Sequence, residues 1–161
     1  DLINIVLVAP EIPHNTGAIG RVCVNLNARL HLIKPLGFSI SDARVRRAAL
    51  DYWEHLDLTV HDSWTTFLED QAPTDLCILS SRGKRSFYDC ELPKVSHLVF
   101  GQESSGLPPE LYTRYADQLF QVPMPGPHAR TLNLANAVSI VAYETYRQMC
   151  VSAVPNGNLA Q

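Results

Sequence analysis

The chain lacks most of the features by which a sequence declares itself. No apolar run approaches the roughly 20 residues that a helix needs to cross a bilayer, so no membrane span is expected. Its 161 residues carry 13 Lys and Arg against 16 Asp and Glu, a formal net charge of −3. A globally basic, nucleic-acid-coating chain is excluded, and any such surface must be a local patch or be assembled from two subunits. The four cysteines, Cys23, Cys77, Cys90 and Cys150, form no C-x-x-C pair, and no His stands at metal-ligand spacing from them. That disfavours a zinc site or a disulfide framework and favours buried free thiols in a reducing, cytoplasmic setting. No G-x-G-x-x-G follows the first apolar run, which disfavours a Rossmann-type nucleotide site. No repeat, low-complexity tract, linker or secretory signal is visible.

What is present reads as one globular domain over residues 1–150. Hydrophobic residues make up 46% and charged residues 18%. The segment 151–161, with Pro155, Asn156 and Gly157, is expected to be a frayed tail. Strands are expected at Leu2–Ala9, Leu30–Ile33, Leu56–Val60, Leu76–Ser80, Leu98–Phe100 and Leu119–Val122. Helices are expected at Asn15–Asn27, from Ser41 through an arginine cluster, at Trp64–Glu69, Pro109–Tyr115 and Asn133–Cys150. Strands alternating with helices predict an α/β fold with a parallel sheet and helices on both faces. Ligands then bind beyond the carboxyl ends of the strands.

Three segments stand at such ends. Pro10-Glu11-Ile12-Pro13-His14-Asn15-Thr16-Gly17-Ala18-Ile19-Gly20-Arg21 follows the first strand. Phe100-Gly101-Gln102-Glu103-Ser104-Ser105-Gly106-Leu107-Pro108 follows another. The third is the Pro- and Gly-laden loop from Val122 to Leu132, which includes Arg130 and Thr131 and runs into Asn133-Leu134-Ala135-Asn136-Ala137-Val138. A loop of that composition meeting a helix start offers free backbone donors and acceptors for a small polar ligand. Asn15 reads as the N-cap of the helix that follows or as a direct substrate contact, and Asn133 as a cap, a substrate contact, or both. Glu103 reads as a group that fixes its loop by accepting backbone N–H bonds, or that holds Asn15 or Arg21. Gly101 reads as a position where the missing Cβ lets a ligand approach the main chain. Trp53 and Trp64 read as core or interface anchors. His14 and His128 read as neutral loop residues.

In order and spacing the three segments resemble the signature motifs of the SPOUT class of RNA methyltransferases, over residues 2 to 150. With Asp42-Ala43-Arg44-Val45-Arg46-Arg47-Ala48-Ala49-Leu50-Asp51-Tyr52, the resemblance extends to the small tRNA 2'-O-methyltransferases that act on the wobble nucleotide. It implies a deep trefoil knot in the C-terminal part, although knots are very rare. It implies S-adenosylmethionine as cofactor, held by Leu79, Gly101, Val122, Thr131 and Leu132, and a homodimer acting on tRNA without a metal. It marks Arg21 as the catalytic arginine, with Asn15, Glu103 and Asn133 around it. A guanidinium stays protonated in proteins and is a poor base. The favoured role for Arg21 is therefore to bind a phosphate beside the target ribose and stabilise a developing alkoxide. Arg44, Arg46, Arg47 and Arg130 are the candidate RNA contacts, with Arg82, Lys84 and Arg85 as a second short cluster. Two positions depart from the pattern: Thr131 and Ala135 stand where many members carry Ser, and only Thr131 keeps the hydroxyl. Three alternatives stand beside this reading: another RNA target, a non-catalytic cofactor-binding module with a structural Arg21, and a flavodoxin-type binding domain.

Overall fold

The computed structural model describes residues 2–153. Its frame is β1 (Asn4–Val8), α1 (Pro13–Leu26), β2 (Arg29–Ile33), α2 (Ala43–Ala49) and β3 (Asp57–His61). Then come α3 (Trp64–Gln71), β4 (Leu76–Leu79), β5 (Arg85–Ser86) and β6 (His97–Phe100). α4 (Pro109–Arg114), β7 (Leu119–Gln121) and α5 (Leu134–Ala153) complete it. The seven strands form one sheet in the order β3-β2-β1-β6-β4-β7-β5. Every pairing is parallel, as expected from the strand–helix alternation.

Side chains alternate across that sheet and feed two cores. Ile5, Leu7, Leu30, Leu32, Cys77, Leu98 and Phe100 pack with Ile19 and Cys23 of α1 and with Val138, Val141 and Ala142 of α5. On the other face Val6, Val8, Ile33, Ile78 and Val99 meet Phe67 of α3 and Leu111 of α4. Strands buried on both faces need continuous apolar runs, which is why they were legible in the sequence. Each such aliphatic side chain contributes about 1.5–3 kcal/mol by leaving water. Trp64 donates from Nε1 to the Tyr115 hydroxyl at 3.2 Å inside the second core, and Trp53 packs beside Gly20 of α1. Trp64 is a core anchor, as expected, and Trp53 is half-buried beside α1.

The second core also holds three buried histidines. His31, His61 and His97 are 2%, 2% and 5% exposed. The rings of His31 and His61 stack with centroids 5.3 Å apart and share a 3.1 Å hydrogen bond. Burial, reinforced by His97 and His61, pulls His31 down to about 4, and burial with His61 does the same for His97.

Several boundaries differ from expectation. α1 starts at Pro13, because proline is pre-set for the first helical turn. The helix expected from Ser41 starts at Ala43 and gives way to a 3-10 turn over Leu50–His55. α5 continues to Ala153, so residues 151–153 belong to the helix rather than to a tail. The rest of the expected tail, 154–161, lies outside the described residues. β5 was not expected at all: two residues, one of them charged, carry no periodic signal. After β7 at the far side of β4, the chain returns across the sheet to lay α5 against α1.

Candidate active site

The loops that leave β1, β4, β6 and β7 and the start of α5 enclose a cavity of about 520 Å³. That is in the range of small-molecule and cofactor sites. Leu79, Gly101, Val122, Thr131 and Leu132, the five residues assigned to the cofactor, all line it. So do Asn15, Glu103 and Asn133. Convergence follows from the parallel sheet, which turns the carboxyl ends of these strands to one edge.

The polar framework is a clasp between two loops. Ile12 stands at the N-cap of α1 and has no side chain able to cap it. Glu103 does this work from the β6 loop: its Oε2 accepts the Glu11 N–H at 2.8 Å and its Oε1 the Ile12 N–H at 3.1 Å. A carboxylate at a helix N-terminus also opposes the positive end of the helix dipole. In return, the Glu11 carboxylate accepts the Ser104 N–H at 3.0 Å and the Ser104 hydroxyl, which hold its pKa below the usual carboxylate value. Gln102 adds a bond from its Nε2 to the carbonyl of Ala9 at 3.2 Å. Ala9 itself turns β1 into the loop with φ +52°, a left-handed conformation unusual for a residue with a Cβ.

From Glu103 the clasp runs inward through amides. Asn15 donates to Glu103 Oε1 at 3.4 Å, and Asn133 donates to Asn15 Oδ1 at 3.0 Å. Asn133 Oδ1 then accepts the Asn136 N–H at 3.3 Å. Asn133 thus caps α5 as expected. Asn15 does not cap α1: it sits inside the helix, 8% exposed, and faces the cavity. In this chain of bonds both amide orientations are set by their neighbours, and each NH₂ keeps one hydrogen for a ligand.

Gly101 is required, though not for the expected reason. A Cβ there would lie 2.5 Å from the backbone carbon of Gly106. The loop closes on itself through Gln102 and Gly106, which exchange backbone bonds of 2.9 and 3.1 Å. The chain's own main chain fills the Cβ side of Gly101, while Gly101 itself stays in the cavity lining.

Arg21 is not in the cavity lining. It lies on α1, about 9 Å along the axis from Asn15 by the rise of a helix, with its guanidinium 4.8 Å above the Tyr52 ring. The Leu-Asp-Tyr segment is thereby joined physically to the arginine it accompanied in the sequence pattern. Arg44 is already engaged by Asp42, through bonds of 3.2 and 2.9 Å. Arg46, Arg47 and Arg130 are exposed and have no carboxylate partner among the described residues. Arg85 is folded over Phe120 and donates to the carbonyl of Asp117, while Arg82 lines the cavity. Sequence reasoning missed Tyr112 and Gln102, which also line it. Tyr112 sits in no motif, whereas Gln102 lies inside the second motif between Gly101 and Glu103.

Residues 2–143 match the model of the SpoU rRNA Methylase family. A tRNA (cytidine(34)-2'-O)-methyltransferase from Saccharophagus degradans is 45% identical over 150 residues, covering 92% of this chain and 96% of that protein. A solved structure described as concerning the 2-OH methylation of C/U34 on tRNA superposes with a TM-score of 0.86 at 45% identity, covering 93% of this chain and 97% of that one. The SpoU methyltransferase AviRb from Streptomyces viridochromogenes, solved with the cofactor AdoMet, shares the fold with a TM-score of 0.79 at 23% identity, over 94% of this chain and 62% of its own. With the family model spanning nearly the whole domain and such relatives beside it, the chain belongs to the SpoU rRNA methylase family.

Proposed function

We propose that this protein is a cytoplasmic, S-adenosylmethionine-dependent tRNA methyltransferase that transfers a methyl group to the ribose 2'-oxygen of the wobble nucleotide, a cytidine or modified uridine. The observation that carries the reading is the Glu103–Asn15–Asn133 chain of hydrogen bonds at a cavity lined by the five cofactor-assigned residues. The match to full-length relatives that act on cytidine 34 of tRNA chooses the substrate.

The lining suits the proposed cofactor. Leu79, Val122, Leu132 and Leu134 offer apolar surface for a nucleoside, while Ser80, Ser81 and the loop amides offer bonds for an amino-acid tail. When bound, S-adenosylmethionine supplies the methyl group as a sulfonium electrophile. The chain's own residues then have two tasks, to hold the ribose hydroxyl in line and to favour its loss of a proton. Asn15 and Asn133 orient the hydroxyl with their spare N–H groups. Glu103 is a clamp and not the base, because its oxygens already serve Glu11, Ile12 and Asn15. Arg21, braced on Tyr52, neutralises the phosphate next to the ribose and stabilises the charge on the ribose oxygen as the hydroxyl proton leaves to solvent water.

The wobble nucleotide lies in a single-stranded loop, so its ribose enters a pocket without the opening of a duplex. Arg46, Arg47 and Arg130 grip phosphates around it, and Arg44 joins them only by leaving Asp42. A second copy of the chain enlarges this surface. α5 keeps Ile140, Tyr143 and Tyr146 at 37%, 45% and 50% exposed on the side away from the core, more apolar surface than one domain uses. We infer that it meets its equivalent across a two-fold axis. The test is to incubate the purified protein with labelled cofactor and either total tRNA or ribosomal RNA. Label is expected in tRNA; transfer to ribosomal RNA in preference would redirect the substrate assignment.

A further inference from the structure

Among the residues lining the cavity, Arg82 is the one Lys, Arg or His. It has no carboxylate partner among the described residues. Its placement is fixed from both sides. The turn that carries it is closed by the Ser80 side chain, whose Oγ accepts the Arg82 N–H at 3.0 Å, and by the Gly83 N–H on the carbonyl of Ser80 at 3.0 Å. Ser80 is tied in turn to the Phe120 carbonyl at 2.8 Å, and a Cβ on Gly83 would lie 2.5 Å from the Phe120 backbone. The turn is therefore pressed against β7.

On the other side, the Arg82 guanidinium lies 4.3 Å from the centre of the Tyr112 ring. Tyr112 is itself held: its hydroxyl accepts the Leu107 N–H at 3.1 Å, and that oxygen would lie 2.5 Å from a Cβ on Gly106. A guanidinium stacked on an aromatic face keeps its edge N–H groups free for a planar, two-oxygen acceptor. The structure thus contains a pre-placed, unneutralised fork at the cavity, three residues past Leu79.

The inference rests on the methyltransferase reading. The proposed cofactor carries positive charge on its sulfonium and ammonium groups and a single negative group, the α-carboxylate. The nearby Glu103 is spent on the α1 terminus and does not neutralise Arg82. We propose that Arg82, stacked on Tyr112, is the carboxylate subsite of the cavity and receives the α-carboxylate of the cofactor's amino-acid tail.

Calorimetric titration of the full chain tests this without turnover. S-adenosylhomocysteine and its decarboxylated counterpart, which keeps the amine, are titrated into the wild type, Arg82→Gln and Tyr112→Leu. The wild type is expected to bind the decarboxylated compound roughly 10–100-fold more weakly, the scale of one charge-assisted pair. Arg82→Gln is expected to lose the same factor for S-adenosylhomocysteine and nothing for the decarboxylated compound, so that the cycle closes on the carboxylate. Tyr112→Leu is expected to lose part of it. Equal effects of Arg82→Gln on both compounds, or no effect on either, overturn the proposal. Unchanged affinity for both with a raised KM for tRNA also overturns it and makes Arg82 a phosphate contact. A wild type that binds neither compound overturns the methyltransferase reading itself.

Discussion

Replacing Glu103 by alanine removes the group that joins the β1 and β6 loops. Its carboxylate accepts two backbone N–H bonds, at 2.8 and 3.1 Å, and a longer 3.4 Å bond from Asn15. A hydrogen bond to a charged acceptor is worth about 1.5–3 kcal/mol. The 3.4 Å bond lies beyond the usual range for N–H···O and counts for little. The N-terminus of α1 is partly open, so water takes over some of what is lost. A net cost of about 2–3 kcal/mol remains, or about 5–10 °C in Tm for a chain of this length. Glu103→Gln keeps the shape but turns an NH₂ toward a backbone donor and loses the charge, for about 1–2 kcal/mol. Turnover should fall in both variants by about tenfold or more, because the Glu11–Ile12 backbone that leads into α1 and positions Asn15 loses its anchor. Urea unfolding and steady-state kinetics read the two effects. A Tm within a degree of wild type together with normal kcat would refute the clasp. Loss of the acidic limb of the kcat–pH profile in Glu103→Gln, with stability intact, would make Glu103 a proton acceptor and refute the assignment above.

Arg21→Ala should lower turnover by roughly 10²–10³-fold, the scale for one group at a developing oxyanion. Affinity for S-adenosylhomocysteine should be unchanged in calorimetry, because Arg21 does not line the cavity; wild-type turnover would remove it from the mechanism. The buried histidines set a pH limit on folding. With His31 and His97 held down to about 4 in the folded protein, the unfolded chain takes up protons first as pH falls below about 6.5. Stability present at pH 7 is therefore lost between about 6.5 and 4, by about 2 kcal/mol per histidine at pH 5. A urea midpoint unchanged between pH 7 and pH 5 would contradict it; carboxylates titrate mainly below that window. Light scattering at micromolar concentration should report a dimer, and Tyr143→Glu with Tyr146→Glu should shift it to monomer. A wild type that is monomeric throughout would remove the α5 interface.

The parts of this molecule that were legible in the sequence are those governed by local rules. Leu2–Ala9 and Leu76–Ser80 announced buried parallel strands because both their faces are covered, and the Pro- and Gly-rich loop before Asn133 announced a break followed by a cap. What the sequence did not show about the site's side chains is mostly non-local. Asn15 looked like a cap because nothing near it in sequence shows that Glu103 supplies one. Gly101 looked open to a ligand because the partner that crowds it, Gly106, comes close only through the loop's own pairing. Asp42 stands only two residues before Arg44, yet its hold on the guanidinium shows only in the structure. Tyr112 carried no signal, since its value lies in meeting Arg82 and Leu107 from another element.

The most direct test of the central claim uses two anticodon stem-loop RNAs that differ at one oxygen, cytidine or 2'-deoxycytidine at position 34, the nucleotide modified by the relatives. Each is incubated with the purified protein and S-adenosylmethionine, and the product is mapped by mass spectrometry. One added methyl group is expected on the ribose of nucleotide 34 in the first RNA and none in the second. A methyl group on a base, at another nucleotide, or on the RNA that lacks the 2'-hydroxyl would contradict it.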